Sequence, residues 1–180
     1  MLKILIYLGS AREGNNTQHV AQLIQSVTES RDDVQAEIID PIALKLDIAK
    51  EANGDAYPEL KKKAAEADGY ILVSPEYNHG YSGSLKYMLD LNLKEYIHKP
   101  VAIVGVSAGP FGGARVIEAL VNVVRELGMV VTFTDLNISY VQNELENGEF
   151  KDKEIWTDRA NKMIDELVWM GETLKKGRAR

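Results

Sequence analysis

Short apolar segments that read as buried strands alternate with longer amphipathic segments along the chain, and this alternation restricts the possible folds most strongly. The first such segment, residues 4–8, is an almost unbroken apolar run that stops at Gly9. Continuous apolar runs are typical of strands buried on both faces of a parallel sheet. Because parallel neighbours must be joined by crossovers, the alternation predicts an α/β, doubly wound fold.

Five strands and five helices can be placed by this pattern. The strands are predicted at residues 4–8, 34–39, 70–73, 101–106 and 129–133. Helical periodicity is present around residues 20–27, 58–67, 85–89, 116–127 and 155–174. Asn15, Asn16 or Thr17 is expected to cap the first helix, and Pro58 suits the first turn of the second. Residues 40–54 have no clean period, and we expect a loop there.

Length and composition are those of an ordinary folded protein. A chain of 180 residues, 45% hydrophobic and 27% charged, can bury a core without disulfides or a structural metal, and we expect one domain over residues 1–180. The chain has no cysteine, which excludes thiolate nucleophiles and Cys-ligated metals. It has no apolar run of about 20 residues, and its apolar start is shorter than a signal sequence, so we expect a cytoplasmic protein with no membrane partner.

The charge balance argues against nucleic acid as a partner. The 21 Lys and Arg residues and 27 Asp and Glu residues give a net charge of −6, and no basic stripe of the kind that follows a phosphate backbone is present. One basic cluster lies near the C-terminus, and we interpret it as the solvated, fraying end of a helix. Its members are Lys175, Lys176, Arg178 and Arg180.

In a doubly wound fold, ligands bind outside the carboxyl ends of the strands where the strand order reverses, which directs attention to three loops. The first loop, residues 9–17, contains Gly9, Arg12 and Gly14 before a helix, a chemistry that suits an anion. Asn15 stands where a nucleoside triphosphate loop needs lysine, and the loop lacks the three-glycine dinucleotide fingerprint. An ordinary polar turn before a capped helix is the alternative.

The middle loop, residues 74–86, is the richest in chemical groups. Pro75, Tyr77 and Tyr81 follow a buried strand, so the loop can offer an aromatic wall and backbone donors to a planar heterocycle. His79 is interpreted as a hydrogen-bonding loop residue. Three scattered histidines and no cysteine make no recognisable metal site, and we expect no metal.

The third loop matches the G-x-S-x-G pattern of serine hydrolases around Ser107. That mechanism needs a histidine after the serine, but all three histidines precede Ser107, so serine hydrolysis is disfavoured. The better interpretation is a glycine-rich turn, residues 109–113, whose backbone lets a flat ligand lie against it. A simple structural turn is the alternative.

Three motifs together resemble the NADPH-dependent FMN reductase family. They are Gly-Ser-x-Arg at 9–12, Pro-Glu-Tyr-Asn-His-Gly-Tyr at 75–81, and Ser-x-Gly-x-x-Gly-Gly-x-Arg at 107–115. The resemblance implies a flavodoxin-like fold of three α/β/α layers, strand order 2-1-3-4-5, bound FMN, and a homodimer or homotetramer. The chain differs from the family at Ser82, where proline is common, and at Tyr87, where asparagine is common.

The same resemblance implies which residues hold FMN. The residues expected to hold the phosphate are Ser10, Arg12, Asn16, Thr17 and Gln18. The residues expected to border the isoalloxazine ring are Pro75, Glu76, Tyr77 and Asn78 on one side and Ser107, Gly109 and Gly112 on the other. Phosphate at a helix N-terminus and a flat ring between two loops are compatible with the physics of the fold.

The resulting hypothesis is an oxidoreductase in which FMN takes electrons from NADPH or NADH and passes them to a small acceptor by a ping-pong mechanism. The acceptor could be a quinone, an azo compound, a metal ion or free flavin. Since the flavin carries the chemistry, no side chain is assigned a catalytic role. Two alternatives remain open: a flavodoxin-like FMN electron carrier, which the modest net charge disfavours, and a non-catalytic flavin-binding regulatory protein.

Overall fold

The computed structural model describes residues 1–49 and 54–179, and its main feature is a parallel sheet between two layers of helices. The sheet strands are β1 (Leu2–Leu8), β2 (Val34–Ile39), β3 (Gly69–Pro75), β4 (Pro100–Val106), β5 (Val130–Val131) and β6 (Leu136–Ile138). The helices are α1 (Asn16–Glu29), α2 (Pro58–Glu66), α3 (Gly83–Asp90), α4 (Ala114–Glu126), α5 (Val141–Glu144) and α6 (Lys153–Arg178), and a 3₁₀ turn spans Gly54–Ala56. A small antiparallel hairpin of β7 (Leu145–Glu146) and β8 (Glu149–Phe150) precedes α6.

The strand order of the sheet is β2-β1-β3-β4-β5, and all of its pairs are parallel. This confirms the predicted flavodoxin-like order and the doubly wound class. Every residue of β3 and of β4 is buried, which is why both strands are continuous apolar runs in the sequence. The chain leaves β1 toward β2 on one side, whereas β3 pairs with β1 on the other, so the order reverses between β1 and β3.

The structure corrects the prediction of the fifth strand. Instead of one strand over residues 129–133, β5 pairs with the start of β4 and β6 pairs with its end. Between them the carboxylate of Glu166 accepts hydrogen bonds from the backbone N–H groups of Phe133 (2.6 Å) and Thr134 (2.8 Å). Because these amides bond to a side chain of α6, the chain leaves the sheet there, and Phe133 is 94% exposed.

Each face of the sheet buries its own apolar cluster. On one face, β1 and β4 contact α1 and α6 through residues that include Val20, Ile24, Met163, Ile164 and Leu167. On the other face, α2, α3 and α4 contribute residues that include Leu60, Leu85, Met88, Leu120 and Val124. The predicted three-layer arrangement is therefore confirmed.

Local hydrogen bonds set the start of the helices that face the carboxyl end of the sheet. The Asn15 side chain accepts a hydrogen bond from Gln18 N (2.9 Å) and caps α1, as one of the three predicted caps. Ser82 caps α3 by accepting from Leu85 N (3.1 Å). Pro58 is the first residue of α2, as predicted.

Two further segments test the sequence interpretation. Residues 40–49 form turns without helix or strand, as expected, while residues 50–53 of the predicted loop lie outside the described residues. The predicted fraying of the C-terminal basic cluster is wrong for two members, because both make contacts: Lys175, although exposed, places its Nζ 2.9 Å from Asp68 Oδ2, and Arg178 donates to the His98 carbonyl at 2.7 Å. Asp68 is buried, and a buried carboxylate requires partners. Arg180 lies outside the described residues.

A buried lysine lies at the opposite, amino end of the sheet. Lys99 Nζ donates to the carbonyl oxygens of Ala64 (2.8 Å) and Ala65 (3.0 Å) in the last turn of α2, where carbonyls lack helical partners. Burial lowers the pKa of Lys99 to about 8, with Arg178 acting in the same direction. Asp68 and Glu95 oppose this decrease in pKa only in part.

The lowered pKa of Lys99 predicts a specific pH dependence of stability. Above about pH 8 folded Lys99 loses its proton, while the unfolded chain keeps it up to the ordinary lysine pKa of 10.5. The free energy of unfolding therefore rises with pH in this window. Burial raises the pKa of Tyr7, Tyr70 and Tyr96, so their opposite contribution begins only above the ordinary tyrosine pKa of 10.0. Urea denaturation between about pH 8 and about pH 9.5 measures the slope.

The Lys99→Met variant keeps an apolar side chain of similar length and removes the titrating group. We expect the rise in unfolding free energy between about pH 8 and about pH 9.5 to become clearly shallower. Lys94→Met is the matched control, because Lys94 is exposed in the same connection between α3 and β4. An equal slope in wild type and Lys99→Met would contradict the assignment.

Candidate functional site

The carboxyl ends of β1, β3 and β4 bring the three predicted loops together around one cavity of about 410 Å³. This volume lies in the range of small-molecule sites, and the cavity lies where the strand order reverses. Its wall consists of Arg12, Glu13, Gly14, Asn15, Asn16, Thr17, Pro75, Glu76, Tyr77, Val106, Ser107, Ala108 and Val141.

Sequence reasoning found part of this wall. The predicted residues that line the cavity are Arg12, Asn16, Thr17, Pro75, Glu76, Tyr77 and Ser107. The predicted residues that lie outside the wall are Ser10, Gln18, Asn78, Gly109 and Gly112. Val141 was missed, because it belongs to α5, far along the chain from the three motifs, and carries no chemical signal. Glu13, Gly14 and Asn15 lie in the first loop, next to the predicted residues, so their position alone could have indicated them.

The first loop presents a helix N-terminus to the cavity. Gly9 brings β1 against β3: its amide donates to the Val73 carbonyl at 2.8 Å, and a Cβ on Gly9 would lie only 2.6 Å from that oxygen. The first-turn amides of Asn16 and Thr17 have no helical partner and are available to an anion. Arg12 adds a positive charge, whereas Glu13 brings a negative one. Gln18 is exposed on α1, and its amide is already bound to Asn15.

Arg12, Tyr77 and Ser10 connect the first loop to the middle loop. The Arg12 guanidinium carbon lies 4.2 Å from the centroid of the Tyr77 ring, a cation–π contact. The Tyr77 hydroxyl is 3.1 Å from Ser10 Oγ, and Ser10 is fully buried behind the wall. Ser10 therefore positions the Tyr77 ring, on which Arg12 stacks, and does not line the cavity itself.

The middle loop is a tight hairpin. Tyr77 and Gly80 exchange backbone hydrogen bonds (2.9 and 3.0 Å), with Asn78 and His79 between them at φ values of 50° and 68°. Positive φ at both central residues is typical of the type I′ turn. Asn78 is exposed at the tip of the hairpin. Its predicted contact with the isoalloxazine ring would therefore have to come from the backbone of the loop. Non-glycine residues with positive φ are costly, so the surrounding structure holds this turn in place.

Glu76 supplies an unsatisfied acceptor in the cavity wall. Its Oε1 accepts a hydrogen bond from Arg115 Nη1 at 2.9 Å, while its Oε2 is buried and has no hydrogen-bond partner among the described residues. The Glu76 side chain is 8% exposed. An unpaired buried acceptor is costly, and a ligand N–H donor in the cavity would satisfy it. Arg115 also stacks on Phe111, with its guanidinium carbon 4.2 Å from that ring centroid.

The third loop packs closely against its own strand. Gly105 and Gly113 are in direct backbone contact, because a Cβ on Gly113 would lie 2.6 Å from Gly105 Cα. The Ser107 hydroxyl donates to the Gly109 carbonyl at 3.0 Å, so it stabilises the turn and is not arranged as a nucleophile. Gly109 faces open space, and Gly112 contacts Asn137 in β6.

These features fit flavin mononucleotide. The amides of α1 and the charge of Arg12 suit its phosphate, and the unsatisfied Glu76 Oε2 suits a ring N–H group. Pro75, Tyr77 and Val106 offer apolar surface to a flat ring. Within residues 1–49 and 54–179, no group of three or more His, Asp or Glu side chains is placed to hold a metal ion.

Fold and site thus define a flavodoxin-like α/β protein whose cavity lies where the strand order reverses and has a chemistry that suits a phosphate. The family model described as NADPH-dependent FMN reductase matches residues 2–143, and the chain belongs to this family. The predicted family is therefore confirmed.

Individual relatives agree with this assignment. The chain is 38% identical over 118 residues to the FMN-dependent NADPH-azoreductase of Staphylococcus saprophyticus, covering 60% of this chain and 62% of the relative. It is 33% identical over 121 residues to the quinone reductase of Escherichia coli (strain K12), covering 63% of this chain and 64% of the relative. The chain thus spans less than two thirds of the length of these two relatives.

A solved structure extends the comparison of the fold to nearly the whole chain. FerB, a flavoenzyme NAD(P)H:(acceptor) oxidoreductase from Paracoccus denitrificans, superposes with a TM-score of 0.78 at 19% identity. The match covers 96% of this chain and 98% of FerB. At this identity the likeness concerns the fold alone, and it agrees with the predicted flavodoxin-like class.

The phosphate assignment predicts a selective effect of Arg12→Ala. Loss of a charge-assisted contact should weaken FMN binding roughly tenfold or more, while riboflavin, which has no phosphate, should be affected much less. Quenching of flavin fluorescence measures both dissociation constants. Arg125→Ala, on an exposed part of α4, is the control. Equal losses for FMN and riboflavin would show that Arg12 acts through Tyr77 and not through the phosphate.

The hairpin geometry predicts that one substitution of His79 is harmful and another is tolerated. A β-branched residue at positive φ is strained, so His79→Val should lower the free energy of unfolding by ~1–2 kcal/mol and weaken FMN binding. Glycine adopts this conformation freely, so His79→Gly should preserve both properties. Urea denaturation and flavin titration test the pair. If both variants bind FMN equally weakly, the imidazole itself, and not the turn, is what matters.

Proposed function

We propose that this chain is an FMN-dependent NAD(P)H oxidoreductase that passes electrons by a ping-pong mechanism to a small acceptor. The observation that carries the proposal is the cavity at the strand-order reversal, where a helix N-terminus, Arg12 and the buried Oε2 of Glu76 meet. Family membership supports it. The acceptors we propose are a quinone or an azo compound, by likeness to the named relatives, with metal ions and free flavin as further possibilities.

FMN, when bound, supplies the ring that accepts and releases electrons. The chain's own residues bind and orient it. Arg12 and the amides of Asn16 and Thr17 would hold the phosphate, with Ser10 fixing Tyr77 from behind. Glu76, held by Arg115, would accept a hydrogen bond from the ring.

The remaining wall residues act by shape and by excluding water. Val106, Ala108 and Val141 give the cavity an apolar side, which strengthens the polar contacts inside it. Gly109 faces open space, so a flat ring can approach the backbone there. Gln18 at the start of α1, and Asn78 and Gly112 in their loops, remain proposed neighbours of the cofactor.

The assembly and location belong to the same proposal. The family resemblance implies a homodimer or homotetramer, and exposed apolar side chains such as Phe111 and Ile42 near the site are compatible with burial by another copy. We place the protein in the cytoplasm, where pyridine nucleotides are the general reductants. No helix of the described part of the chain has the length and apolarity needed to cross a membrane. We treat residues 1–180 as a single FMN-binding domain.

Anaerobic titration of the FMN-loaded protein tests the proposal directly. We expect the flavin absorbance bands to bleach when NADPH or NADH is added, and to recover when a quinone follows. Bound flavin that neither nucleotide reduces would instead indicate an electron carrier or a regulatory protein. Steady-state rates at several quinone concentrations should give parallel double-reciprocal lines, whereas intersecting lines would rule out the ping-pong mechanism.

A further inference from the structure

The third loop is held in place by the turn that joins β6 to α5, residues 139–142. The amide of Val141 donates to the Ser107 carbonyl at 3.1 Å. The amide of Tyr140 donates to the Gly109 carbonyl, also at 3.1 Å. Backbone donors of one turn therefore fix the carbonyl groups at both ends of a three-residue segment of the loop.

The carbonyl group in the middle of this segment is held by a side chain. Gln142 Nε2 donates to the Ala108 carbonyl at 3.1 Å, and it is the one donor to this carbonyl within residues 1–49 and 54–179. Gln142 is exposed on α5 and lies outside the three sequence motifs. The orientation of the peptide group between residues 108 and 109 therefore depends on Gln142.

The bonded carbonyl groups determine where the amides of the loop point. In a trans peptide unit the carbonyl and the following N–H group point in opposite directions. Because the Ser107 and Ala108 carbonyls point to the 139–142 turn, the N–H groups of Ala108 and Gly109 point away from it. Neither N–H group has a hydrogen-bond acceptor in the described part of the chain.

This pair of free donors lies beside the proposed flavin cavity. Ser107 and Ala108 both belong to the cavity wall. Successive backbone N–H groups that point the same way form a concave site for negative charge. The third loop is thus arranged to present amides, and not carbonyl groups, to a molecule in the cavity.

The 139–142 turn keeps this arrangement at a conformational cost. Tyr140 has a φ of 47°, a left-handed conformation that is uncommon for a bulky residue. Its side chain is 45% exposed, so burial of the ring does not require this conformation. The conformation does allow the Tyr140 amide to reach the third loop just before α5 begins. Costly backbone conformations of this kind cluster at functional sites.

The cavity wall has few other groups that could stabilise negative charge on a bound ring. Arg12 is the one cation among the described lining residues, and the proposed function assigns it to the phosphate. Glu76 presents a carboxylate oxygen, which suits a ring N–H group but opposes added negative charge. Donors that are fixed in advance stabilise developing charge without reorganising. The amides of Ala108 and Gly109 are such donors.

We propose that Gln142 is a positioning residue, which keeps the amides of the third loop toward the cavity and so favours the reduced form of bound FMN over the oxidised form. The inference rests on the proposed function, because it concerns the same cavity and the same cofactor. Two-electron reduction adds negative charge to the ring, and charge beside the ring is one means by which a protein tunes a flavin. Without Gln142, the 108–109 peptide could turn its carbonyl to the cavity and oppose reduction.

The first experiment compares the affinities for oxidised and for reduced FMN in wild type and in Gln142→Met. Methionine keeps the length of the side chain and removes the donor without adding charge. We expect the dissociation constant for oxidised FMN to change by less than about twofold, whereas the constant for reduced FMN should rise roughly fivefold, the effect of about one hydrogen bond. A structural role alone would weaken both forms equally.

Two measurements give these constants. Quenching of flavin fluorescence gives the dissociation constant for oxidised FMN. Anaerobic titration with dithionite and an indicator dye gives the midpoint potential of bound FMN, which depends on the ratio of the two constants. For a two-electron couple a tenfold change in this ratio is about 30 mV, so the fivefold change should make the potential about 20 mV more negative.

The second experiment uses Gln142→Glu, which keeps the shape of the side chain. The carboxylate cannot donate and repels the Ala108 carbonyl, so we expect the ratio of constants to change roughly tenfold, or about 30 mV. Asn143→Asp is the matched control. Asn143 is the next residue, it is exposed, and its side chain makes no hydrogen bond within the described residues, so the variant adds the same charge without touching the loop. We expect the control to change the ratio by less than about twofold.

Three results would overturn the inference. They are equal weakening of oxidised and reduced FMN in Gln142→Met, an unchanged potential in both Gln142 variants, and a shift in Asn143→Asp as large as that in Gln142→Glu. Failure of the proposed function looks different, because NADPH and NADH would then leave the flavin of wild type oxidised. The titration with dithionite needs neither nucleotide and would still decide the role of Gln142.

Discussion

The close approach of the ends of β1 and β3 is the contact on which the rest of the site depends. The Gly9 amide bonds to the Val73 carbonyl, and the Gly9 carbonyl accepts hydrogen bonds from the hydroxyls of Ser82 and Ser84. Ser82 also caps α3, so one side chain holds the helix start and the first loop together. Where the family often has proline, this chain therefore uses a serine that bonds in both directions. A Cβ on Gly9 would separate the two strands and move both loops.

The polar groups of the site form one connected set that begins at this contact. Ser10, next to Gly9, holds the Tyr77 hydroxyl, and Tyr77 carries Arg12 on its ring face. Beside Tyr77, Glu76 joins the middle loop to α4 through Arg115. Because each residue positions the next, the cation, the aromatic ring and the buried carboxylate have little freedom before any ligand binds. Preorganised groups of this kind lose little entropy on binding.

The sequence predicted best those elements whose structure depends on one effect, the burial of apolar side chains. β3 and β4 are buried on both faces, so hydrophobicity alone identified them, and parallel pairing then required helical crossovers. The fifth strand was misplaced because two hydrogen bonds to Glu166, more than 30 residues away, compete with the sheet for Phe133 and Thr134. The C-terminal basic cluster was misjudged for the same kind of reason. Lys175 and Arg178 meet Asp68, which lies more than 100 residues earlier in the chain.

The sequence by itself determined the fold class, the strand order through its family motifs, and the three loops that form the site. These properties depend on local periodicity and on short motifs, which are visible without long-range contacts. Only the tertiary structure decided which residues of those loops reach the cavity. Ser10 lies behind Tyr77 and bonds to its hydroxyl, one oxygen of Glu76 has no hydrogen-bond partner within residues 1–49 and 54–179, and Val141 lies in the wall. Side-chain direction and long-range contact arise from packing the whole chain at once, and a linear pattern does not carry that information.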